Sequence, residues 1–130
     1  MKIRTDFVTN SSSSSFIIAK KKDLKVEEIK EILNKKLRKE IKEMIQSSYK
    51  YNRIYEDEIL IHLNSGNIEK ATDAAIEFIA DEIKDCNSIE LDSWIVYATE
   101  FSNDDYGLFS NFMYQYGYQL HSENLKIVEE

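Results

Sequence analysis

The sequence predicts an α+β domain, a small and mainly antiparallel sheet packed against two to three helices, from three observations. Residues 26–45 carry an apolar stripe at helical spacing, and residues 94–101 form a β-branched and aromatic run. The helical patterns bunch in the middle of the chain, with strand patterns towards both ends. A length of 130 residues with 42% hydrophobic content suits one domain with a real core. With no proline and three glycines, no stretch reads as an interdomain linker. The expected organisation is a single domain over residues 1–130, in which residues 1–15 are a loosely ordered arm or an edge strand.

Near the start, Ile3, Thr5 and Phe7 alternate weakly, and Ser11, Ser12, Ser13, Ser14 and Ser15 interrupt before the apolar Phe16, Ile17, Ile18 and Ala19. The pattern fits two short strands around a polar turn, or an arm followed by one strand beginning at Phe16. Val26, Ile29, Leu33, Leu37, Ile41 and Met44 recur at three and four and define an amphipathic helix over residues 26–45. Glu27 and Glu28 suit the positive end of its macrodipole, while Lys25 is a poor cap. Ile54, Ile59, Leu60 and Leu63 suggest a short second helix that stops before Ser65 and Gly66. A third helix is expected over residues 68–85, capped by Asn67, with Ile68, Ala71, Ala75, Phe78, Ile79 and Ile83 turned inward.

Residues 94–101 read as the central strand, with residues 89–91 a preceding strand or part of the same bent one. Residues 103–107 form a turn cluster, residues 108–116 are aromatic with no clear period, and residues 124–129 close the chain as another strand.

Charge narrows the function classes. With 24 acidic against 17 basic residues, the average field repels phosphate backbones, so nucleic-acid binding is not expected without a segregated basic face. Most of the positive charge lies in the first third, at Lys20, Lys21, Lys22, Lys25, Lys35, Lys36, Arg38, Lys39 and Lys42. One cysteine, Cys86, excludes an internal disulfide, and with only His62 and His121 a Cys/His zinc site is not expected. No apolar run reaches membrane-spanning length or resembles an export signal, so the expected compartment is the cytoplasm.

Several groups are candidates for chemistry, each with a plain alternative. The serines Ser11, Ser12, Ser13, Ser14 and Ser15 could cradle an anion with charge from Lys20, Lys21 and Lys22, or accept a modification. Without a glycine they also read as an ordinary turn or linker. Glu100, Asp104, Asp105 and His121 are candidates for a cation or acid/base site, although Asx residues before Gly107 are explained as a turn, and no tight metal site is favoured. Glu69, Asp73 and Glu77 repeat at four, where like charges repel. They could meet a cationic partner or simply form a solvated face offset by Lys70 and Lys84. Tyr106, Tyr114 and Tyr116, with Phe109, Phe112 and Tyr118, could anchor a partner or fill the core under a sheet. Cys86 lies at a helix end, where adjacent Asp85 opposes the thiolate and points to an inert thiol.

The opening Lys2-Ile-Arg-Thr-Asp-Phe-Val-Thr-Asn-Ser-Ser-Ser-Ser-Ser-Phe16 resembles an N-terminal signature that recurs in small uncharacterised bacterial proteins, some linked to prophages or mobile elements. The acidic turn at residues 100–105 is similar to one in such proteins. The resemblance implies a bacterial or phage origin and assigns no activity, substrate or catalytic residue. The expected function is a non-enzymatic intracellular protein-interaction factor, such as a phage-type accessory or inhibitory protein with an acidic surface. The alternative is a small enzyme or cation-binding domain centred on Glu100, Asp104, Asp105 and His121. No cofactor is expected, and the sequence leaves the partner and the oligomeric state open.

Overall fold

The computed structural model describes residues 13–86, 89–102 and 107–129. In chain order these form β1 (Ser13–Lys21), α1 (Val26–Lys50), α2 (Asp57–Asn64), α3 (Ile68–Asp85), β2 (Ile89–Leu91), β3 (Trp94–Ser102), α4 (Leu108–Tyr116), a 3-10 turn (Gly117–Gln119) and β4 (Leu125–Glu129). The strands make one sheet in the order β2-β3-β1-β4, with every neighbouring pair antiparallel. The α+β class therefore holds, with four helices among the described residues rather than two or three. The strand expected within residues 1–8 lies outside the described residues.

Strand β1 begins at Ser13 and not at Phe16, as the side chains suggested. Ser13, Ser14 and Ser15 sit opposite Ser102, Phe101 and Glu100 of β3. Ladder hydrogen bonds come from the backbone, so a long partner strand can carry three serines that lack intrinsic β preference. Along β1 the faces alternate: Ser14, Phe16, Ile18 and Lys20 are buried, whereas Ser15, Ile17, Ala19 and Lys21 are only half-buried. Leu125 and Ile127 of β4 share the buried face and join one core with Ile29, Leu33, Leu37 and Ile41 of α1, and with Ala75, Ile79 and Ile83 of α3. The expected helix-on-sheet layers are thus present.

Helix α1 runs five residues beyond Ile45. Its start is helped by Glu28, whose Oε1 accepts from the Lys25 N–H at 2.9 Å, a half of a capping box that does not need a polar side chain at Lys25. At its end the Arg53 N–H reaches the Ser48 carbonyl at 2.8 Å and the Asn52 N–H reaches that of Tyr49 at 3.0 Å. Asn52 has φ 58°, so this is a Schellman end with asparagine at the left-handed position. Helix α2 ends the same way around Gly66, φ 76°, with Asn67 N–H on the His62 carbonyl at 2.8 Å. Asn67 then caps α3 as the sequence suggested, its Oδ1 accepting from the Lys70 N–H. Residues 108–116, ambiguous in period, are helical because Leu108, Phe112 and Met113 fall on one buried side.

Lys20 is the main inversion of the sequence reading. The sequence offers it with Lys21 and Lys22 as charge for an anion cradle, yet it is 1% exposed and points into the core. Its Nζ donates to the Ile83 carbonyl at 2.6 Å and to the Lys84 carbonyl, in the last turn of α3. The Ile83 carbonyl also accepts from the N–H of the capping Cys86 at 3.3 Å, and a cation at this end complements the negative end of the macrodipole. Burial holds the Lys20 ammonium below its ordinary 10.5; Lys84 lowers it further, while Cys86 and Asp85 oppose the shift. Lys20→Met keeps the volume but removes both donors, with an expected loss of roughly 1–3 kcal/mol in denaturant unfolding. The folded form binds this proton less well than the unfolded chain. Native stability should therefore climb as pH rises from the folded value towards 10.5, and fall again on acidification; Lys20→Met should lack that component.

Candidate interaction surface

Register and burial together place all the recorded helix packing on one face of the sheet and leave the other face uncovered among the described residues. Reading across the strands, the uncovered face has three rows: Leu91, Trp94 and Lys21; then Ile89, Val96, Ala19 and Lys126; then Ala98, Ile17 and Val128. Glu100 and Ser15 follow at the far end. Ile89 is 56% exposed, Leu91 55% and Val128 44%, values that set these aliphatic side chains apart from the core. Trp94 sits between two cations, with Lys21 Nζ 4.8 Å and Lys126 Nζ 5.7 Å from its ring centroid. An antiparallel sheet with one solvated face ordinarily shows polar residues there. Here that face is mostly Ile, Leu, Val, Ala and Trp.

The composition of residues 94–101 is the sequence signal that corresponds to this surface. Nearly every residue in the run is apolar or aromatic, which is the mark of a strand with apolar side chains on both faces. The pattern could not say whether a second layer of the same chain covers the outer face.

The described candidate residues of the sequence are dispersed. Ser11, Ser12, Asp104, Asp105 and Tyr106 lie outside the described residues. Ser13 contributes its backbone to β1, Ser14 is buried and Ser15 lies on the open face. Ser15 and Lys20 are separated by roughly 17 Å along the strand. Lys20 points inward, Lys21 lies over Trp94, and Lys22 pairs with Glu90 at 3.0 Å. Among the described residues the serines and lysines thus do not converge on one cradle.

Glu100 is on β3, whereas His121 bridges to Lys126 beyond β4. Val96, Ala19, Lys126 and His121 lie in one row, and Glu100 is four residues along β3 from it. The two are therefore about 13 Å apart along the strands and about 14 Å across them. Among the described residues no group of three or more His, Cys, Asp or Glu side chains comes together around one point.

Glu69 and Asp73 are engaged within the molecule. Arg38 of α1 donates Nη1 to Asp73 Oδ1 at 2.7 Å and Nη2 to Glu69 Oε1 at 3.0 Å, while Lys42 Nζ holds Glu69 Oε2 at 2.5 Å. These hydrogen bonds raise the Arg38 guanidinium further and hold the Glu69 carboxyl below its ordinary value, Lys42 contributing most to the latter. The repulsion between the two acids is relieved by cations of the neighbouring helix, not by Lys70 or Lys84. Lys84 Nζ instead donates to the Leu24 carbonyl at 2.6 Å. Glu77 is exposed.

Tyr114 and Tyr116 are half-buried. The Tyr114 ring lies 6.0 Å from Phe16 and 6.4 Å from Phe101, and its hydroxyl donates to the Phe101 carbonyl at 2.6 Å. Tyr116 packs beside the buried Phe112, 6.4 Å between centroids. Both tyrosines serve the core more than the surface. No family model, curated protein or solved structure matches this chain. Function must therefore be read from geometry.

Cys86 is no nucleophile in this setting. Burial, aided by Glu82 and Asp85, pushes its thiol up to about 11 against the pull of Lys20, and Sγ donates to the Glu82 carbonyl at 3.0 Å. A second apolar region, around Tyr49, Tyr55 and Leu60, encloses about 540 Å3 and is open to solvent. Tyr55 and Ile61 beside it are 65% and 61% exposed. It lacks the continuity of the sheet face.

Proposed function

We propose that this protein is a non-enzymatic, cytoplasmic interaction factor that binds a protein partner through the open face of its sheet. The observation that carries the reading is the row structure of that face. Leu91, Trp94, Ile89, Val96, Ile17 and Val128 are contiguous, and apolar patches of this kind mark interaction sites on otherwise charged proteins. A flat, aliphatic surface with one indole suits another protein better than a nucleic acid, whose bases need several stacking rings and whose backbone meets a chain of net charge −7. The accessory or inhibitory role rests on the resemblance of the opening segment. The acidic surface enters as the repulsive surround that keeps basic-seeking polyanions away.

The test is a comparison of the native protein with Ile17→Lys as baits in the cell of origin. Ile17 is half-buried on the open face, so the variant should unfold within about 1 kcal/mol of the native protein. Protein partners held by the native bait should be lost from the variant. Equal retention by both baits, with the variant folded, would rule out this face as the binding surface.

A further inference from the structure

We propose that the hollow between the last turn of α1 and helix α2 is a binding site for a small aromatic carboxylate. It shares no residue with the open sheet face and stands apart from the interaction reading above.

Two helix ends build this hollow. Tyr49 and Lys50 close α1, Asn52 follows in the left-handed turn, Tyr55 precedes α2, and Asn64 is the last residue of α2. Ile54, 4% exposed, and the half-buried Leu60 give it an apolar lining. The Tyr49 hydroxyl donates to Asn64 Oδ1 at 2.5 Å and ties the end of α1 to the end of α2. The hollow is therefore preformed, and its volume of about 540 Å3 lies within the usual range for small-molecule sites.

The lining chemistry selects the ligand. Tyr49 and Tyr55 are 37% and 65% exposed, and tyrosine faces suit a flat ring in offset or edge-on contact. The polar groups are mostly donors. With its Oδ1 taken by Tyr49, Asn64 has its NH2 group to offer. The Asn52 NH2 group and the Lys50 ammonium, which lies 5.8 Å from the Tyr51 ring centroid, have no hydrogen-bond or carboxylate partner among the described residues. No described acidic residue lines the hollow, although the chain has 24. A cationic ligand finds no counter-charge here, whereas a planar group with two acceptor oxygens and one negative charge finds three donors.

A phosphate fits less well. Such groups are held by several cations or by free backbone N–H groups. Here the Asn52 and Arg53 N–H groups already bond to the Tyr49 and Ser48 carbonyls, at 3.0 and 2.8 Å. One lysine in a chain of net charge −7 balances a single negative charge better than two. An aromatic carboxylate thus matches its ring to the tyrosines and its oxygens to Lys50 and the two amides.

The probe is hydrocinnamate, added to the full native chain and followed by proton–nitrogen correlation spectra. Saturable shifts of the Asn52 and Asn64 side-chain NH2 signals are expected, with a Kd at or below about 1 mM. Hydrocinnamamide keeps the ring without the charge, and hexanoate keeps the charge without the ring; each should bind roughly tenfold more weakly. Lys50 and Tyr55 are exposed, so Lys50→Gln and Tyr55→Ala should stay folded, and each should weaken hydrocinnamate roughly fivefold or more.

No saturable shift up to about 5 mM hydrocinnamate would overturn the site. Equal affinity for all three probes would defeat the assignment of an aromatic carboxylate. Binding unchanged by both substitutions would place the contact elsewhere and refute the site as well. The three-probe comparison uses the native chain alone, so it decides even if a variant fails to fold.

Discussion

Phe16→Ala is expected to cost about 3–5 kcal/mol in denaturant unfolding, enough to remove much of the stability of a domain this size. Phe16 is 1% exposed and lies in an inner strand, so its loss opens space between the sheet and the helices. Its ring centroid is 5.9 Å from that of Phe101 and 6.0 Å from that of Tyr114, the latter nearly edge-on. Such pairs contribute beyond the area they bury. Phe101 in turn meets Phe109 edge-on at 5.9 Å, so the cavity would loosen the contact that seats α4 on the sheet. A chemical or thermal titration followed by Trp94 fluorescence and by circular dichroism tests this. A loss below about 1 kcal/mol would show that the aromatic cluster collapses freely and that Phe16 is no keystone of β1. Phe16→Leu, which restores much of the volume, should recover the larger part of the loss.

Leu37→Ala is the second large effect, about 2–5 kcal/mol. Leu37 lies mid-helix on the stripe Ile29, Leu33, Leu37 and Ile41, all with no exposed surface. Helix α1 packs most extensively against α3, whose Ala71, Ala75 and Ala80 allow a close approach. Close approach leaves little room for neighbours to move into a void, which puts the expected value towards the upper part of the range. Urea unfolding of Leu37→Ala beside Leu37→Met separates packing from helix propensity, because methionine keeps both the volume and a comparable propensity. Near-native stability of Leu37→Ala would mean that the α1–α3 seam is plastic.

The parts of the fold legible from residue order alone are those set by local periodicity. The stripe of α1, the Asn67 cap and the inward face of α3, and the strand at residues 94–101 were all legible, because each depends on side chains a few residues apart. The aromatic residues at 108–116 were not, since a short run rich in apolar groups satisfies both periods. Burial of Leu108, Phe112 and Met113 decided for a helix.

Where charge and exposure fall depends on long-range packing. Lys20 read as one of three lysines offering charge to an anion, and only the arrival of the end of α3 over the inner face of β1 gave its ammonium two carbonyls to bind. Glu69 and Asp73 read as a solvated face offset by Lys70 and Lys84 or met by a cationic partner, and only the packing of α1 beside α3 brought Arg38 and Lys42 to them. Ser13, Ser14 and Ser15 looked like a turn, and only pairing with β3 extended them. Apolar residues on both faces of β1 and β3 are written in the sequence. That the described helices gather on one face and leave the other open is a matter of chain topology, because long-range packing selects which of two apolar faces is covered.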